Sequence, residues 1–564
     1  MNRRILFLVL LLPFVSFSQS PFGSDLEQGE TGKMERPWKL ITSGSWAVTF
    51  KPKKTKIVVA EFDVSTLNFK GEFTFNLKYE GKRIKLVDVI AFNEEIYCLT
   101  SYDNKSKGKR YYLLQKYMGE GRLGKPMVLS ESYWTEGAKL TFSSKKYMEN
   151  IANMNSVKFS VSADQSYLSV LIPKSNLKEE NQKDEWVACI FSNSMSQKNI
   201  EFILDGKNAK IGEVLLKNNG DLIGISVENV TVANGNFYGG MNNRGKPDYQ
   251  ILGDKYSVFQ VSYENEEVSA QTVDLEENKV SAYSLAYLDN KIVFCGFFRD
   301  LNGNKYNTFA AGYFYYLFNK NFNIDNYSFV PFDERMEAVM NADDLDGDEE
   351  EEVSEKKKKK EERKKEKKKR EKLEDLIIQD VFLRQNGEVV ILAEQFDFWI
   401  SERTTTTANG TTTTTVYHYE YSDILAVSFG VTDGETKWMS RIPKRQHSAN
   451  DGGFYSSYQL IEDNGKLHFL FNDRLFYLKF DELENASRSE KRKALKVRLL
   501  GGATISEEGN VTRYIVIDEE TYDNIRIAPA FSEYGNGQIT TFTSIQEGMF
   551  KTRFGLSRLE FLSD

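Results

Sequence analysis

The sequence predicts an all-β fold, a β-propeller of seven or eight four-stranded blades with a Lys/Glu-rich helical or disordered insertion, and three observations carry that expectation. Strand-like runs rich in Val, Ile, Leu, Phe and Tyr recur in groups of four along the 564 residues. Gly, Asn or Asp bounds most runs, the composition of strands joined by turns. The groups repeat every 40 to 45 residues or so, lengthened by polar insertions, without the Greek-key spacing of a sandwich.

The clearest group spans 376–444: DLIIQDVFLRQ, the turn Asn386-Gly387, EVVILAEQF, a long polar excursion, YSDILAVSFGV, and TKWMSRIPK. A lone meander exposes an apolar face, so it needs neighbours. In order, a first unit holds SWAVTF, KIVVAEFDV and KGEFTFNL, and a second IKLVDVIAF, EIYCLTSYD, RYYLLQKYM and KPMVLSE. The third reads VKFSVSAD, YLSVLIPK, EWVACIF and IEFILD, and the fourth GEVLLKNNGD, LIGISVE, YSVFQVSY and VSAQTVDL. The fifth has SAYSLAYLDN, KIVFCGFFRD, TFAAGYFYYLF and NYSFVPF, and the opening group is the sixth. A seventh is assigned SSYQLIEDNG, KLHFLFND, RLFYLKF and ALKVRLL, with an extra run VTRYIVID; an eighth has NIRIAPAFSEY, QITTFTS and TRFGLSRLEF. The first unit lacks an opening strand and the last a closing one, so the ring is expected to close by pairing the two ends of the chain.

Composition narrows the function classes. A formal charge of -8 with a single local basic block argues against a nucleic-acid binder, and 40% hydrophobic residues supply a packed core. Arg3 and Arg4 before the apolar run Ile5 to Val15, then Ser16 and Ser18, predict a signal peptide over 1–18, hence a periplasmic or extracellular chain. No other run is long enough for a transmembrane span. Residues 19–35 read as a flexible lead-in and 36–564 as a single propeller domain. Cys98, Cys189 and Cys295 fall one by one inside strand-like runs, as buried small hydrophobes do.

In an antiparallel meander the connections from second to third strand and from one blade to the next share one end. The long polar connections fall there, near 102–110, 173–185, 228–256, 299–307 and 399–421, with long crossings at 133–155 and 333–375; unit seven is the exception, its excess at 481–493 falling after the third run. Long loops carry function more often than tight turns, which makes this end the expected binding face. Two insertions stand out. Residues 341–375 run from an acidic stretch into EKKKKKEERKKEKKKREKLEDL, with Glu361 to Lys365 and Glu366 to Arg370 spaced for a solvated helix. Residues 402–416, TTTTANGTTTTT at their centre, suit a β-ribbon turning at Asn409-Gly410.

Chemistry is sparse. GMNNRGKP at 240–247 imitates a phosphate loop but has Pro247 in place of the metal-holding Ser or Thr and no following helix. Asp344, Asp346 and Gly347 imitate a calcium loop, with Ala342 and Val353 at its first and last ligand positions. His418, His447 and His468 show no metal-ligand spacing. No catalytic residue, metal site or cofactor is assigned. The remaining candidate is the crossing 441–458, whose Arg441, Lys444, Arg445, Gln446, His447, Asp451, Tyr455 and Tyr458 suit a carbohydrate, peptide or anionic ligand, or else seal adjacent blades.

Through IPKRQHSANDGGFYSSY at 442–458 the chain resembles secreted β-propeller-like proteins of Bacteroidota envelopes, of uncharacterised function, a likeness that implies no activity. The function expected is a non-catalytic envelope propeller that binds a protein, or an extracellular glycan or peptide, through its long-loop face. The alternative is a propeller hydrolase or lyase on such a glycan or peptide at the axial mouth, which requires titratable groups to converge with His447 in one deep axial pocket.

Overall fold

In the second strand of blade six (Glu388–Thr407), Val389, Ile391 and Ala393 pack toward blade five while Val390 and Leu392 pack toward blade seven. Both faces of such a strand are buried, because each blade is sandwiched between two others. Middle strands therefore read as continuous apolar runs, whereas an outer strand such as Ile324–Pro331 keeps a solvated face and alternates. The computed structural model describes residues 20–562 apart from 33–38, 45, 53–55, 77, 80, 105, 134–156, 175–182, 208, 229–231, 236–248, 277, 300–309, 335, 337–338, 340–375, 408–409, 484–485, 519–521, 523–524 and 548–550. The signal-peptide reading, the Lys/Glu-rich insertion, and the two imitations of phosphate and calcium loops lie wholly or mostly outside the described residues.

Eight four-stranded antiparallel sheets follow one another along the chain, and they make a β-propeller. An apolar cluster fills each junction between neighbouring blades. Ile41, Phe50, Val89 and Leu113 join blades one and two, and Phe92, Leu114, Val170 and Cys189 blades two and three. Further clusters continue round through blades three to eight, and the cluster with Leu40, Phe62, Phe542 and Leu556 returns from blade eight to blade one. Each Leu or Phe so buried contributes about 1.5–3 kcal/mol over exposure. Turns from first to second strand are tight: Asn464-Gly465 and Asn536-Gly537 have φ of 48°, 76° and 54°, 72°, the left-handed pair of a two-residue hairpin.

The structure corrects the reading of three segments. The opening strand of blade one is Lys39–Ser43, too short and too polar to stand out in the sequence, and it pairs with Trp46–Pro52. RLFYLKF is no strand: residues Leu475–Leu478 and Phe480–Leu483 are helical turns, followed by the helix Arg488–Ala494, which Ser487 and Glu490 cap reciprocally. The third and fourth strands of blade seven are then Arg498–Ile505 and Val511–Ile517, so its long excess lies between second and third strands like the others. Residues 20–32 run along the last strand (Lys551–Glu560) rather than leading freely into the fold. Glu27–Gln28 is the outer strand of blade eight, flanked by bridges Phe22 to Phe561 and Gly32 to Phe554.

Candidate functional site

Blade six carries a long, fully paired excursion at the long-loop end. Its second and third strands, Glu388–Thr407 and Gly410–Gly430, continue past the blade as one ribbon, paired without interruption from Phe396–Tyr421 to Thr407–Gly410. The outer strand Thr436–Ile442 follows the third strand, breaks at Pro443, Lys444 and Arg445, and resumes as Gln446–Ala449 beside Tyr421 to His418. Three residues thus stand opposite Ser422 and Asp423. Such a bulge re-aims side chains, and here it sends Lys444 into the core and Arg445 out to solvent.

The eight candidate residues divide into three groups. Four are interior. The Lys444 ammonium lies 2.6 Å from Glu394 Oε1, both side chains having no solvent exposure, and donates to Gln446 Oε1 at 2.9 Å. Glu394 Oε2 accepts from Gln379 Nε2 at 3.1 Å and Ser457 Oγ at 2.7 Å. Gln446 also accepts from Ser457 N and donates to the carbonyls of Ser457 and Asn472. Arg441 clamps Asp423 through Nε at 2.7 Å and Nη2 at 2.5 Å, and Tyr458 is buried edge-on against Phe469. These groups hold the crossing against blades six and seven. Asp451 closes a turn by accepting from Ser448 Oγ and Gly453 N, and Tyr455 donates to Ser544 Oγ on blade eight at 2.8 Å.

Only Arg445 and His447 face solvent. Arg445 Nε donates to Glu420 Oε1 at 2.7 Å. His447 lies on the ribbon, its Nε2 3.1 Å from His418 Nδ1, while His418 Nε2 is 2.8 Å from Ser401 Oγ. The Trp399 indole lies parallel to both imidazoles, with centroids 4.9 and 5.5 Å away. Spacing along the chain gave no hint of this trio; it follows from the cross-strand register, which sets Trp399 opposite His418. His468 is elsewhere, buried between Thr504 and Phe561. Among the described residues no group of three or more His, Cys, Asp and Glu is placed to hold a metal, and no helix is long and apolar enough to cross a membrane.

Hydrolase or lyase chemistry would need titratable groups converging with His447 in an axial pocket. Two cavities are described: about 610 Å³ at the closing seam around Phe22, Asp25, Gln538 and Arg558, and about 380 Å³ between blades one and two around Trp46, Glu94 and Lys116. Neither touches the crossing. Sequence reasoning also passed over Asp473, which directly precedes Arg474 at the end of the second strand of blade seven. Burial pushes its carboxyl up to about 8, against the opposing pull of the Arg474 and Arg445 amides and the Lys444 charge.

Solved structures of similar fold include the Dos1 propeller (7% identity over 94% of this chain and 95% of that one, TM-score 0.37). They also include polysaccharide lyase Uly1 (8%, 95% and 92%, 0.34) and the WD40 domain of SCAP from fission yeast (8%, 78% and 80%, 0.30). At these scores the likenesses carry no argument about a site or a reaction. No family model and no curated protein matches the chain.

Proposed function

We propose that this chain is an exported envelope β-propeller, akin to those of Bacteroidota, that acts as a non-catalytic binding or scaffold module through its long-loop face. The observation that carries the reading is the concentration of excursions at one end. The hairpin Val232–Gly235 with Tyr249–Leu252 in blade four, the blade-six ribbon and the blade-seven helices all connect second to third strands. Such excursions add backbone and side chains that no blade needs for its own core, the usual place for recognition. The apolar run after Arg3 and Arg4 supports export.

The test is cross-linked affinity purification of the exported chain from its own cell envelope, beside two variants. In one, 403–414 is replaced by Asn-Gly to shorten the ribbon; the other lacks 343–372. A stoichiometric partner retained by the parent and lost by a variant is the expected result. Equal retention by all three chains, or by none together with blank glycan and peptide screens, would remove the long-loop face as a binding surface.

A further inference from the structure

Three arginines meet at the long-loop end of the seam between blades seven and eight. Arg474 ends the second strand of blade seven (Lys466–Arg474) and stands directly opposite Arg498, which begins the third. A directly opposed pair has its Cβ atoms about 4.5–5.5 Å apart, and like charges so placed are destabilising. Two-residue periodicity fixes the direction of both. Leu470 and Leu500 belong to the cluster shared with blade eight, so Asn472, Arg474 and Arg498 lie on that same face. Asn472 confirms it by donating to the Ile527 carbonyl of blade eight at 2.9 Å. Arg526 is the residue before Ile527, on the inner strand Ile525–Gly535, and is exposed, as is Arg498.

Among the described residues none of the three guanidinium groups has a carboxylate partner or a hydrogen bond. Arg498 is held below its ordinary range by partial burial first, then by the Arg526 and Arg474 charges. The acid next to Arg474, Asp473, points the other way, toward blade six with Phe469 and Phe471, and is largely protonated at neutral pH. Like charges with no acidic partner among the described residues repel one another, and the planar five-donor fork of each is suited to bidentate capture of an oxyanion.

We infer that Arg474, Arg498 and Arg526 form a binding site for an oxyanion, of the sulfate, phosphate or carboxylate class, on the long-loop face beside the 441–458 crossing. It gives ligand chemistry to the binding face proposed above and rests on that reading for its biological use, although the site itself can be tested without any partner. A bound oxyanion replaces mutual repulsion with three charge-assisted contacts.

The experiment follows thermal unfolding of the full exported chain in sodium sulfate, sodium phosphate and sodium acetate, each against sodium chloride at equal ionic strength. Arg474→Gln, Arg498→Gln and Arg526→Gln are run beside the parent. The parent should gain stability in at least one oxyanion beyond chloride, saturably, and each variant should weaken that anion's apparent affinity at least tenfold. A tetrahedral ligand is indicated by sulfate or phosphate exceeding acetate, a planar one by the reverse. In chloride alone each variant should melt at or above the parent, because a repulsive charge is gone, whereas arginines with a purely structural role would lower it. No gain beyond chloride, retention of the gain by all three variants, or variants that melt well below the parent in chloride would overturn the assignment. None of these results bears on partner capture from the envelope, so the two readings fail separately.

Discussion

Lys444 shows why an exposed-looking run of polar residues can be structural. Its ammonium has left water entirely, and what makes that tolerable is the Glu394 carboxylate and the Gln446 amide, each in turn held by Ser457. Removing one charge of such a pair strands the other. Lys444→Met should therefore cost about 3–5 kcal/mol, while Lys444→Met with Glu394→Gln should recover most of it, since the amide keeps its bonds to Gln379 and Ser457. Urea unfolding midpoints decide this, and a single variant within about 1 kcal/mol of the parent would show the pair to be unimportant. Asp473 adds a pH dependence. Its carboxyl ionises near 8 in the fold and near 3.9 in the unfolded chain, so between those values the native state holds the extra proton and stability falls as pH rises. The slope reaches about 1.4 kcal/mol per pH unit at most, and is lost above the folded value. Asp473→Asn should overtake the parent progressively from acid to alkaline pH; a stability gap that stays constant with pH would contradict this.

At the scale of elements, what the sequence made legible tracks burial on both faces. Runs such as EVVILAEQF and KIVFCGFFRD are middle strands caught between two blades, and their unbroken apolarity announced them. RLFYLKF misled for the same reason. It is apolar enough to pass as a strand, yet Phe476 buries against Ala494 of the helix while Leu478 buries in the core between blades six and seven, and nothing in a seven-residue run separates the two periods. The divided fate of 441–458 was illegible because it depends on a bulge, which local composition does not mark. The arginine trio was illegible because Arg474 and Arg498 are brought together only across a helical insertion. The ribbon was legible in its threonines, and beyond Glu402–Thr415 its two strands pair with each other. Replacing 403–414 by Asn-Gly should accordingly leave the unfolding midpoint of the propeller unchanged, with any difference below about 0.5 kcal/mol. A larger loss in a thermal melt would mean that the tip packs on the body of the ring.

For the whole molecule the decisive interaction is the closure, since the first and last blades bury both their faces only if the ends of the ring meet. Blade eight takes three strands from the C-terminal part of the chain and its outer strand, Glu27–Gln28, from the N-terminal part. Two pairs alone make a weak strand. The seam is reinforced by Phe22, 3% exposed, which packs on Tyr514 and Phe561 at centroid distances of 6.1 and 5.5 Å, and by Arg558, whose Nη1 donates to Glu27 Oε2 at 3.0 Å while Nη2 reaches the Val64 carbonyl on blade one. Phe22 thus joins an N-terminal segment to blades seven and eight, and Phe22→Ala should cost about 3–5 kcal/mol, as for other buried aromatics. Glu27→Ala, removing the more exposed partner of an ion pair, should cost under about 1 kcal/mol. The discriminating measurement is hydrogen exchange on the Phe22→Ala chain. If closure holds the ring together, amides of Lys551–Glu560 and of the neighbouring Gln538–Glu547 should lose protection well before those of blade three. Uniform loss of protection round the ring would instead make Phe22 an ordinary core residue and leave closure to the blade-eight and blade-one contacts of Phe542, Leu556 and Leu40.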